Sequence, residues 1–190
     1  MPIAHLDHET DFAGWRAAAR ALRSAGVAPD QVDWTIGAIE PTGVAESGPV
    51  FDGPGHDFCV PKAFLDLAQT VICHRAPDRL DRLYRLLWRF RDEPALLTLD
   101  FDPDLSEARR MAGEVVRSAH RMKAFLRFDR IAQDPATYTA WFEPRHRVLR
   151  RTAPFFAARF GERSFSIHTP DGYASWDGRV LGFHPTVSAR

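Results

Sequence analysis

From residue 10 onward the apolar positions recur at helical spacing. In TDFAGWRAAARALRSA, Phe12, Trp15, Ala19 and Leu22 fall on one stripe. Thr10 or Asp11 can cap the first free amides and Gly26 stops the run, so the pattern predicts a helix over 10–25. VDWTI at 32–36 alternates instead and predicts a strand. The glycine- and proline-rich stretch 40–57, EPTGVAESGPVFDGPGHD, predicts an irregular loop. PKAFLDLAQTVICH follows as a helix, with Pro61 suited to its first turn. DRLDRLYRLLWRFR at 78–91 has the clearest helical period: Leu80, Leu83, Leu87 and Phe90 point inward, Arg82, Arg85 and Arg89 outward.

A further helix, capped by Asp104 or Ser106, is expected to run to about His120. Leu105, Ala108, Met111, Ala112, Val115 and Ala119 form its apolar face. Then the period changes. AFLRFDRI, TYTAWF, SFSIHT, YASWD and RVLGF read as short aromatic strands, with turns at TPDG and WDG. One helical piece, 146–160, interrupts them, and Pro154 is expected to start a second set of turns after Thr152, because an interior proline breaks the ladder. The reading is an α+β fold: N-terminal helices packed on a mostly antiparallel, aromatic-rich sheet in the C-terminal half. With 190 residues, a single domain over 1–190 is the simplest division.

Composition fits a folded protein, with 45% hydrophobic and 26% charged residues. There is no apolar run of about eighteen residues to span a membrane. MPIAHLDHETDF lacks the basic-then-apolar pattern of a signal peptide, which reads as cytoplasmic. Cys59 and Cys73 are expected as thiols, and Cys73-His74 has no second ligand pair at zinc spacing, so neither metal nor cofactor is expected.

The formal net charge of zero hides an asymmetry. Residues 1–104 hold 10 Lys+Arg against 17 Asp+Glu, residues 105–163 hold 13 against 6, and residues 164–190 hold 2 of each. An acidic front and a basic second half (105–190) carrying the candidate motifs can present two electrostatic faces, the basic one toward phosphates.

Three segments carry candidate chemistry. In HRMKAFLRF, residues 120–128, cations alternate with aromatics. On a strand starting near Ala124, Phe125, Arg127 and Asp129 would point one way and Leu126, Phe128 and Arg130 the other, an arrangement that can stack a base beside a phosphate. The alternative is a core strand whose arginines reach solvent. In AWFEPRH, Glu143 and His146 follow an aromatic strand and a proline bend, where a carboxylate can orient an imidazole for acid–base work; Glu143 can equally cap the next helix. In SIHTPDGYASWDG, His168, Asp171, Trp176 and Asp177 share one hairpin, whose turns also explain the aspartates.

Taken in order, VVRSAHRMKAFLRF, YTAWFEPRH, APFFAARF and SIHTPDGYASWDG resemble a bacterial domain family connected with DNA metabolism and DNA repair. GWR at 14–16, the VxW pattern at 32–34, VP at 60–61, CH at 73–74 and YRLLWR at 84–89 extend the likeness over nearly the whole chain. Members of that family occur alone, beside a radical-SAM protein, or fused ahead of a uracil-DNA-glycosylase-like domain. Arg121 stands where the family commonly has lysine, and Arg147 where it often has a second histidine. The family also continues into a basic, aromatic C-terminal stretch, so this chain reads as a short form or a piece of a longer fusion.

Residue chemistry and resemblance together imply a DNA-repair accessory module. Its phosphate contacts would come from Arg117, Arg121, Lys123, Arg127, Arg145, Arg147, Arg150 and Arg151, and its stacking from Trp141 and Trp176. The alternatives are an enzyme on DNA or nucleotides with His120, Glu143, His146 and Asp171 as its acid–base set, or a non-catalytic docking domain for a glycosylase-like or radical-SAM partner.

Overall fold

The computed structural model describes residues 2–37, 60–132 and 134–185. The predicted loop at 40–57, and Cys59, lie outside them. The chain forms two compact units, Met1–Ala112 and Gly113–Arg190.

In the first unit, β1 (Ile3–Leu6) pairs in parallel with β2 (Asp33–Ile36), and α1 (Phe12–Ser24) connects them. The sequence pattern yields α1 and β2 but not β1. Asp11 caps α1, its carboxylate accepting from the Gly14 amide at 2.8 Å. Helices α2 (Lys62–Val71) and α3 (Arg79–Arg89) follow close to expectation. Trp15, Phe64, Tyr84, Leu83 and Leu86 are fully buried, and the Trp15 ring meets Trp34 and Phe64. The Tyr84 hydroxyl donates to the Val27 carbonyl at 2.7 Å, and burial pushes its pKa up to about 12.

Helix α4 spans Pro103–Phe125, its residues to Ala112 belonging to the first unit and the remainder to the second. This corrects the expected strand from Ala124. Val115, Ala119, Met122 and Leu126 are all buried at helical spacing, so the apolar stripe continues past His120 and the helix with it. In HRMKAFLRF, His120, Arg121 and Lys123 therefore lie on the exposed side of the helix's last turns, with Arg127 just beyond its end, while Met122 faces inward.

The second unit carries a five-stranded sheet in the order β3 (Asp129–Ile131), β4 (Asp134–Trp141), β5 (Ser164–Thr169), β6 (Gly172–Trp176), β7 (Leu181–His184). All pairs are antiparallel except β4 with β5, which helix α5 (Leu149–Phe160) joins in parallel. Pro154 sits inside α5 and does not divide it. Proline removes one amide donor there, while buried Leu149, Thr152, Ala153, Phe156 and Ala157 hold the helix against its neighbours. Phe128, Phe156, Phe160 and Phe165 form one ring cluster on the sheet face that α5 covers, with centroids 4.5 to 5.6 Å apart in the contacting pairs that include Phe128. The fold is α+β, as the residue pattern implies.

Candidate nucleic-acid interface

The two units treat their cations differently. The first holds 12 Lys+Arg and 18 Asp+Glu, the second 13 and 7. In the first, Arg79, Arg82, Arg85, Arg89, Arg109 and Arg110 are tied to carboxylates, while Arg16 and Arg91 are exposed with no ion pair among the described residues. Arg79 meets Glu9, Arg82 bridges Asp78 and Asp104, Arg85 meets Asp104, and Arg110 meets Glu107. Arg89 lies 2.8 Å from Glu93 and 2.6 Å from Asp102. Those carboxylate hydrogen bonds raise the Arg89 pKa, and its own hydrogen bond is the main cause lowering that of Asp102.

The second unit leaves its cations open. Arg117 and Arg121, one helical turn apart, are exposed on α4, as is Lys123, whose ammonium lies 5.0 Å over the Phe155 ring. Arg151 is exposed on α5. Among the described residues, none of these four is in an ion pair. Arg127 is also exposed, but its guanidinium donates to the Ala124 and Leu126 carbonyls and so closes the C-terminal end of α4. Arg150 packs over Phe183 at 4.5 Å, Arg147 is half-buried, and Arg145 lies 4.0 Å from Glu114.

Of the acid–base candidates, His146 is buried at 3% exposure, while His120, Glu143 and Asp171 are exposed. His146 Nε2 lies 3.4 Å from Glu114 Oε2, and its backbone amide donates to Ser118 Oγ at 3.2 Å. Neither the His120 nor the Glu143 side chain has a hydrogen bond to any described residue. Asp171 sits in the β5–β6 turn, where its amide donates to Thr169 Oγ1 and Gly172 takes φ +136°. The carboxylate at His146 is thus Glu114. Its signal was a polar pair, Glu114 and Ser118, one turn apart beside the apolar stripe of α4.

The sheet face away from α5 forms a second candidate surface. Register places Trp141, His168, Tyr173 and His184 in one row across four strands. His168 and Tyr173 stack at 5.2 Å, and Tyr173 and His184 at 4.5 Å. Thr139, Ser166 and Ser175 form the adjoining row. Ser166 Oγ donates to Thr139 Oγ1 and is hydrogen-bonded with His168 Nε2, each at 3.1 Å, and Ser175 Oγ is 2.9 Å from His184 Nε2. Trp176 belongs to the opposite face: it is the register partner of Phe165, and its indole donates to the Gly161 carbonyl at the end of α5. The alternating pleat separates it from Trp141. Tyr173 and His184 escaped the sequence reading, although their alternation with Ala174 and Phe183 marks the open face.

A family model described as a domain of unknown function, DUF4130, matches residues 77–181. That is more than half of the chain, which therefore belongs to this family. No curated protein and no solved structure matches.

Proposed function

We propose that this member of the DUF4130 family is a DNA-binding module working in DNA repair or DNA metabolism, with the cations of the second unit meeting phosphates. The observation that carries the reading is the contrast in ion pairing. Arg79, Arg82, Arg85, Arg89, Arg109 and Arg110 of the first unit are held by carboxylates. Arg117, Arg121, Lys123 and Arg151 of the second are exposed without such partners among the described residues, as are Arg16 and Arg91 in the first. Cations without a carboxylate partner have no ion pair to break before meeting phosphate, and binding releases the counterions condensed there. The likeness to a DNA-repair family supports the same reading.

The test is fluorescence-anisotropy binding of labelled duplex DNA across a salt series. Each phosphate contact contributes about 0.9 to the slope of log affinity against log salt. Arg117→Ala/Arg121→Ala is expected to weaken binding and flatten that slope by about two contacts' worth. Arg85→Ala, which removes a cation already paired with Asp104, should leave the slope unchanged. Absence of binding at low salt, or equal slopes for wild type and the double variant, overturns the proposal.

One observation favours a docking role for the first unit beside this. Phe101 is 100% exposed and Leu99, two residues before it, 43%, an apolar pair to anchor a glycosylase-like or radical-SAM partner. Phe101→Ser is expected to abolish such a complex in a pull-down with the purified partner.

A further inference from the structure

We infer that the open face of the second unit's sheet takes unpaired nucleobases, with Trp141 as the stacking surface. This rests on the DNA-binding reading above and narrows it to single-stranded nucleic acid. Trp141 is 64% exposed and, among the described residues, its side chain has no ring, cation or hydrogen-bond partner. A lone exposed apolar side chain would be unremarkable on a protein surface. Trp141 is not placed that way: it ends a row whose other three members are already stacked.

His168, Tyr173 and His184 stand ring against ring, at interplanar angles of 21° and 18°, and hydroxyls of Ser166 and Ser175 hold both imidazoles. The row is thus ordered before any ligand arrives, which lowers the entropic cost of stacking on it. Its free end is open. Pairing of β3 stops at Asp129, opposite Thr139, so no strand residue of β3 lies beside Trp141. A base laid on Trp141 continues the row and buries its exposed indole surface.

Charge favours a polyanion at that end. Arg127 lies just before Asp129 in the chain, as Trp141 lies just after Thr139, and is exposed. Arg145, shortly after Trp141, has a side chain 79% exposed. Aromatic stacking beside such cations suits single strands, because the face of a base is accessible only when it is unpaired.

The experiment compares a fluorescein-labelled thymidine oligonucleotide with the duplex it forms with its complement. Wild type, Trp141→Ala and Trp141→Phe are used at low salt, with folding checked by circular dichroism. Stacking on one aromatic predicts that Trp141→Ala loses about tenfold or more in single-strand affinity. Trp141→Phe should retain most of it, and duplex affinity should stay within about twofold. Single-strand binding untouched by Trp141→Ala, or an equal loss for strand and duplex, overturns this inference and leaves the phosphate-binding proposal standing. Failure of wild type to bind either nucleic acid overturns both.

Discussion

The backbone amide of His146 donates to Ser118 Oγ while its ring Nε2 faces Glu114, so one α4 turn holds the segment after β4 at two points. All three residues belong to the second unit, and Ser118 and His146 are buried. Ser118→Ala leaves the His146 amide without this acceptor in a site that water does not reach. The expected cost is about 1–3 kcal/mol, read as a lower urea midpoint at unchanged slope. A midpoint equal to wild type would show that the amide has another acceptor.

Asp102 combines two tasks in the first unit. Its Oδ1 accepts from the Leu105 amide at 2.8 Å, and its Oδ2 meets Arg89. Its pKa is lowered on folding, chiefly by the Arg89 hydrogen bond. The stability it contributes is therefore present above the unfolded carboxylate value, about 3.9, and lost as pH falls through the folded pKa. Asp102→Asn keeps an amide acceptor but no charge, and is expected to cost about 1–2 kcal/mol at neutral pH. Thermal midpoints measured from pH 7 downward should converge for the two proteins in acid; parallel curves would count against the ion pair.

Gly14 gives a prediction whose sign depends on its neighbour. A Cβ there would lie 2.1 Å from Asp11 Oδ2, so alanine must displace the carboxylate that caps α1. Alanine gains up to about 1 kcal/mol over glycine in a helix, while losing such a cap costs about 0.5–2 kcal/mol. Gly14→Ala should be neutral to destabilising in the wild type and stabilising in an Asp11→Ala background. A double-mutant cycle by chemical denaturation measures the difference, and equal effects in both backgrounds would reject the coupling.

Phe128 is expected to matter through packing. Its ring meets Phe156, Phe160 and Phe165. Phe128→Ala should destabilise by about 2–4 kcal/mol, and Phe128→Leu by less than about 1.5. Equal losses for both would point to ring geometry, not volume, as the source.

Legibility in the sequence followed the length of each pattern. Helices α1, α2 and α3 repeat their apolar stripe often enough to be read directly. α4 runs past its expected end near His120 because Met122 and Leu126 continue the buried stripe behind His120, Arg121 and Lys123. The parallel pairing of β4 with β5 leaves no local signature, since strand residues look alike in either direction. Charge asymmetry was visible from composition. Which arginines have carboxylates was not, because the partners of Arg82 and Arg89 include Asp104 on α4 and Asp102 just before it. Trp141 and Trp176 looked equivalent as letters, and only strand register assigns them to opposite faces.

The lone parallel seam divides the assembly of the sheet in time. β3 with β4, and β5 with β6 and β7, are sequence-local antiparallel pieces able to form early. The seam between them, from Thr137 with Ser164 to Trp141 with His168, closes only after the chain has travelled through α5. Within the sheet it is the pairing with the largest loop-closure cost, and sheet formation is expected to be limited by it. Trp141 and His168 are partners across that seam, so the aromatic row is completed by the same event that joins the two pieces.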